Sequence, residues 1–91
     1  MTLYETIELM KSDDHQDRFR AEYYQLMIRY CGLKKMINDW DAGTLIFEPD
    51  CPRRTYDLQL KYMENYLSIL VTRAAIEGII LDEIEQELEL E

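Results

Sequence analysis

The sequence predicts an all-α fold, an antiparallel helical hairpin of two long helices with a short N-terminal helix, assembling as a helical homo-oligomer. Three observations lead there. Phe19, Tyr23, Leu26, Tyr30, Leu33 and Ile37 recur at intervals of 4, 3, 4, 3 and 4 residues, the spacing of one apolar stripe along a helix. Tyr56, Leu60, Met63, Leu67, Leu70 and Ala74 repeat the same rhythm further along. The third observation is a surplus. Tyr24, Met27, Ile28 and Met36 on the first segment, and Tyr62, Tyr66, Ile69, Ile76 and Ile80 on the second, fall outside the stripes. They spread beyond the ~100° that one neighbouring helix covers. Two rods alone leave them wet, so copies are expected to pack face to face with closed symmetry.

Taken in order, the chain reads as one domain over residues 1–91. Residues 1–12 form a short helix, because Thr2 and Glu5 have the form of a capping box and Leu3, Ile7 and Met10 can fold back on the hairpin. Ser12, Asp13 and Asp14 cap the first long helix, 13–40. Gly43 sits where a left-handed C-terminal cap is expected. The linker 41–51 contains Leu45, Ile46 and Phe47, too apolar for a free loop, and is expected to pack over one end of the hairpin. Pro52 suits the first position of the second long helix, 52–81, where its missing amide hydrogen costs nothing. Residues 82–91 are an acidic tail. The alternation in "IEQELELE" allows either a solvated end or a helix continuing with Ile84 and Leu88 against a neighbour.

Composition narrows the functional classes. The formal charge is −9, but residues 82–91 hold six acids and no base, which leaves −3 on the first 81 residues. No apolar run is long enough to span a membrane and the N-terminus lacks a secretion signal, so a cytoplasmic protein with reduced thiols and no membrane partner is expected. Cys31 and Cys51 are the only cysteines and His15 the only histidine. No metal site, cofactor or catalytic residue is therefore expected, and the protein is read as a non-enzyme.

The stretch "CPRRTYDLQLKYM" carries the most specific chemistry. It places Arg53 and Arg54 at a helix start, where cations are mildly disfavoured but where backbone N–H groups favour an anion. Two readings are open. Arg53 can pair with Asp57 and Arg54 with Glu48 or Asp50, as surface ion pairs. Alternatively the pair grips phosphate through its planar forks, with Lys61, Arg20 and Arg73 joining across a subunit boundary and Tyr56 and Tyr24 as aromatic platforms. Under the second reading the ligand-binding residues are Arg53, Arg54, Tyr56, Lys61, Arg73, Tyr24 and Arg20. Arg73 also has an ion-pair reading, with Glu77 or Glu22.

The region from Asp17 to Leu81 resembles a family of small phage and prophage proteins best known from crAss-like phages. The segments that carry the likeness are "RAEYYQLMIRYCGLKKM" and "YDLQLKYMENYLSILVTRAAIEGI", the second with Gln59, Met63, Tyr66, Leu67, Leu70 and Arg73 in a Q-x-x-x-M-x-x-Y-L-x-x-L-x-x-R pattern. The linker and the acidic tail depart from that pattern. The resemblance implies an accessory protein acting in the cytoplasm of a bacterial host against a defence pathway. Joined to the arginines and tyrosines, it gives a phage-encoded anti-defence protein that sequesters an anionic cyclic nucleotide signal at inter-subunit sites, without direct nucleic-acid binding. The alternatives are an acidic anti-CRISPR-type inhibitor of a host effector, presenting Glu5, Glu8, Asp13, Asp14, Asp17 and the tail as a phosphate mimic, and a structural oligomer with no ligand.

Overall fold

A computed structural model describes residues 1–82. Its elements are a 3-10 turn, Tyr4–Thr6, followed by α1, Ile7–Lys11, α2, His15–Ala42, and α3, Arg53–Glu77. Among the described residues there is no strand, and the two long helices lie side by side. Their direction follows from which residues meet. Trp40 packs edge-on to Tyr56, Tyr30 donates to Glu64, and Arg73 lies over the ring of Phe19. Position numbers rise on one helix as they fall on the other, so the hairpin is antiparallel.

Local chemistry accounts for each start and stop. The backbone N–H of Thr2 donates to Glu5 Oε1 at 2.8 Å while Glu5 N–H donates to the Thr2 hydroxyl at 3.4 Å, a reciprocal capping box. Asp14 caps α2 by accepting from Gln16 N–H at 2.9 Å. Ser12 adds to it, accepting from Asp14 N–H and donating to Asp17. The helix runs through Trp40 to Ala42 and stops at Gly43, whose φ of 75° is the left-handed conformation that glycine adopts without strain.

Three local readings are corrected. Pro52 precedes α3 as its extended cap, with φ −61° and ψ 149°, so Arg53 and Arg54 are the first two helical residues. Thr55 N–H bonds back to Pro52 C=O at 3.0 Å, which makes the proline the hinge residue and not part of the helix. The far end also moves. α3 stops at Glu77, short of Leu81, because Gly78 turns left-handed at φ 71°, and Ile79 N–H then bonds to Ala74 C=O at 2.9 Å. Finally, the linker covers less than its composition suggests: Leu45 is half-buried, but Ile46 is 96% exposed and Phe47 54%. Thr44 N–H bonds to Asp39 C=O, which holds the chain against α2 at Leu45 and leaves the next two side chains outward. The possible continuation through Ile84 and Leu88 lies outside the described residues.

The core is a narrow strip. Phe19 of α2 meets Leu70 and Ala74 of α3 and Ile79 beyond it, with Tyr23, Leu26 and Leu81 packed at the margin. The buried residues of α3 are Leu67, Leu70 and Ala74, all in its C-terminal half. On α2, Phe19, Ala21, Tyr24, Cys31 and Ile37 are buried, a wider arc. That difference reflects the N-terminal elements. The 3-10 turn and α1 lie against α2, and Thr6, fully buried, accepts from Gln25 Nε2 at 2.8 Å. Of the surplus apolar side chains of α2, Tyr24 is buried and Met27, Ile28 and Met36 are half-buried, whereas Tyr62, Tyr66, Ile69 and Ile76 on α3 are exposed.

Leu70 is 0% exposed, so truncating it leaves a void in the apolar strip between the two long helices. Leu70→Ala is expected to lower the unfolding free energy by about 2–4 kcal/mol, read from the urea midpoint at unchanged slope.

Candidate functional site

The seven residues singled out in the sequence divide into two groups. Five are engaged within the chain. Arg53, on the first turn of α3, donates to both carboxylate oxygens of Asp41, at 2.7 and 3.2 Å, and to Asp57 at 2.9 Å. Its guanidinium also lies 5.3 Å from the ring centre of Trp40. The Asp57 pair is the one that i, i+4 spacing suggests. Asp41 is the addition, brought in from the end of α2 by closure of the hairpin. Tyr56 sits below, its hydroxyl accepting from Cys51 N–H at 3.3 Å.

The other three engaged residues lie toward the opposite end. Tyr24 is buried, with its hydroxyl accepting from Asp82 N–H at 2.8 Å. Arg20 donates to Ile80 C=O at 2.9 Å and to Asp17 at 3.1 Å. Arg73 stacks 4.8 Å from the Phe19 ring centre and reaches Glu77 at 3.4 Å. Arg20 thus ties the segment after α3 back to α2, and Arg73 ties α3 itself to α2.

Arg54 and Lys61 form the second group. Both are exposed, and neither makes a hydrogen bond or ion pair among the described residues. Seven residues apart on α3, they lie on one side of the helix, about 10 Å apart along its axis. Leu58 and Tyr62 stand beside them, Tyr62 with 63% of its surface exposed. Sequence reasoning names Arg53 and Arg54 as a pair, and the structure separates them: Arg53 turns toward α2 and its carboxylates, Arg54 away.

A groove the sequence did not signal lies between α1, α2 and α3. Its cavity of about 470 Å³ is lined by Met10, Arg18, Glu22, Gln25, Arg29 and Tyr66 among others. Arg18 donates to Ser12 C=O at 2.6 Å, and the Tyr66 hydroxyl donates to Glu22, which raises the tyrosine's pKa because the bonded proton is held beside a carboxylate. Arg29 alone has no partner among the described residues. With one open cation and one acid inside it, the groove is less suited to a multiply charged anion than the Arg54 face. Of the N-terminal acids, Glu5, Asp14 and Asp17 accept bonds from the chain itself, Glu8 pairs with Lys11 at 3.8 Å, and Asp13 is exposed.

Other chemistries find little here. Among the described residues no group of three or more His, Cys, Asp or Glu side chains is placed to hold a metal, and no helix is long and apolar enough to cross a membrane. Cys31 is buried and Cys51 exposed.

The Arg53 clamp has a pH signature. Its hydrogen bonds hold the Asp41 carboxyl below the ordinary carboxylate range and raise the arginine. A carboxylate with a depressed folded-state pKa stabilises the fold above its unfolded value and loses that contribution as pH falls through the folded one. Asp41→Asn is therefore expected to be less stable than the parent at pH 7. That gap should narrow as pH drops below about 4, the ordinary aspartate value, measured by urea unfolding at pH 7 and pH 3.

The geometry can now be set beside known proteins. No curated protein and no solved structure matches the chain. A family model does: the one described as Sequestin aligns with residues 13–76, a span that takes in α2, the linker and α3 up to the end of its apolar strip. By that match over most of its length, the chain belongs to the Sequestin family.

Proposed function

We propose that this chain is a phage-encoded anti-defence protein that binds and holds an anionic nucleotide signal, most specifically a cyclic one, in the cytoplasm of a bacterial host. The family description speaks of sequestering, which fits a protein that captures a ligand without converting it. One observation carries the assignment to a surface. On α3, Arg54 and Lys61 have no hydrogen-bond or ion-pair partner among the described residues and stand beside the exposed ring of Tyr62.

The chemistry of that face suits a nucleotide. Arg54 offers a planar fork that matches a phosphate edge, and Lys61 a point charge one heptad away. Phosphates spaced about 10 Å apart, or the two ends of a cyclic oligonucleotide, can engage both while a base lies on Tyr62. Arg53, Tyr56, Arg73, Tyr24 and Arg20 enter this reading as supports. Arg53 is fixed by Asp41 and Asp57, and it holds the first turn of α3 so that Arg54 projects from a rigid position. The helix surface is convex, so a single copy grips the ligand from one side, and a second copy closes the site.

Thermal-shift measurements with cyclic dinucleotides, cyclic trinucleotides and cyclised ADP-ribose are the direct test. At a concentration about 100 times Kd a true ligand is expected to raise Tm by roughly 10 °C or more. Arg54→Ala with Lys61→Ala should abolish the shift while leaving the unliganded Tm near that of the parent. No shift with any of these compounds, or an undiminished shift in the double variant, would sink the proposal.

A further inference from the structure

Besides the sides that meet α3 and α1, α2 has a third face, and the chain after α3 takes up its beginning. Arg20, Tyr24, Met27, Cys31, Lys34 and Asn38 recur at intervals of 4, 3, 4, 3 and 4 residues, which sets them in one line along the helix. Around the axis, Cys31 stands about 100° from Tyr30, which bonds to α3, and about 120° from Gln25, which bonds to the N-terminal turn. Where the line starts, Arg20 Nε donates to Ile80 C=O at 2.9 Å and Asp82 N–H donates to the Tyr24 hydroxyl at 2.8 Å. Position numbers rise together, so the segment runs parallel to α2. Two extended residues cover about 6.6 Å and four helical residues about 6 Å, so the two advance in step. Further along the line Cys31 is 1% exposed, its thiol donating to the Met27 sulfur at 3.9 Å.

We infer that this face of α2, from Met27 to Asn38, is the docking surface for the chain's own acidic segment, residues 83–91, which lies outside the described residues. Reach, pattern and charge select that occupant. From Tyr24 to Asn38 the helix rises about 21 Å, and residues 83–91 span up to ~30 Å when extended. The segment therefore covers the whole face from the point where Asp82 is held. Beyond Asp82 the sequence alternates strictly, with Ile84, Gln86, Leu88 and Leu90 at even positions and glutamate at every odd position from 83 to 91. A period of two gives an extended chain one largely apolar side and one acidic side. The first suits Met27 and Cys31, and the second suits lysines at the border.

Charge agrees with the choice. Between Arg20 and Asn38, α2 carries Arg20, Arg29, Lys34 and Lys35 against a single acid, Glu22, and Glu22 is turned toward Tyr66 of α3. In a chain of net charge −9, this is the stretch toward which a run of glutamates is drawn. A foreign acidic peptide feels the same attraction but has to arrive from solution. The tethered segment is held beside the face at an effective concentration near millimolar, so it occupies the face first. The burial of Cys31 then depends on residues 83–91. The inference stands apart from the proposed sequestration, because Arg54, Lys61 and Tyr62 all belong to α3.

Thiol labelling of the full chain in a Cys51→Ser background tests the arrangement, with Cys31 as the reporter. Cys31 is expected to react slowly with a maleimide. Ile84→Lys with Leu88→Lys should raise that rate at least about tenfold at unchanged helicity, since labelling then no longer waits for the segment to lift off. Equal rates in the two proteins would overturn the inference. A second measurement leaves the apolar residues in place. Gln86→Cys is expected to form a disulfide with Cys31 of the same chain about ten times faster than Glu91→Cys does, whereas a free tether favours the nearer position only about threefold. Comparable rates at the two positions, no link at either, or a link that joins separate copies would each overturn it.

Discussion

The contact between α2 and α3 is thin, and most of what the molecule presents to its surroundings follows from that. α3 spends three buried residues, Leu67, Leu70 and Ala74, on its neighbour, all within two turns of each other. Its N-terminal half is held by different means. Arg53 is clamped by Asp41 and Asp57 and lies over Trp40, while Tyr56 meets the same tryptophan edge-on. One end of the hairpin is closed by apolar packing and the other by a cation with its carboxylates. A helix attached so sparingly keeps more than half of its circumference available, and on a 25-residue helix that is a long surface.

The two arginines of the opening turn show how adjacent residues take separate tasks. Successive helical residues point about 100° apart, so Arg53 and Arg54 cannot share a direction. The first faces the end of α2 and meets acids. The second faces away and meets none among the described residues. The apparent conflict of two cations at a helix start is thus resolved by carboxylates for one member and left unresolved for the other, and an unresolved cation on a rigid helix is what an anionic ligand requires. Family membership gives that geometry its direction.

Local features were the most legible part of the sequence. The Thr2–Glu5 capping box, the Asp14 cap and the Gly43 stop depend on residues within a few positions of one another, and the residues alone announce them. The inward seam was legible for the same reason. What the sequence could not convey was which neighbour covers which face. The surplus apolar positions of α2 and α3 look alike on paper, yet α1 and the turn before it lie on α2 alone, an arrangement helped by the fully buried Thr6 meeting Gln25, 19 residues away. Likewise nothing near Arg53 in the chain points to Asp41, 12 residues earlier; only hairpin closure joins them. Within the candidate site, residue types were readable and their directions were not, so Tyr24 and Tyr56, chosen as ring platforms, have hydroxyls engaged by backbone N–H groups. The groove holding Arg29 left no periodic trace because three separate elements build it.

The left-handed turn at Gly78 has a consequence for how the hairpin is fastened. By stopping α3 there it sends Ile79 into the apolar strip and brings Ile80 C=O to Arg20 and Asp82 N–H to the Tyr24 hydroxyl. Both bonds run from the chain after α3 to side chains of α2, so the end of the hairpin remote from Arg54 is latched by backbone groups that a helix continuing through residue 81 would have kept within its own ladder.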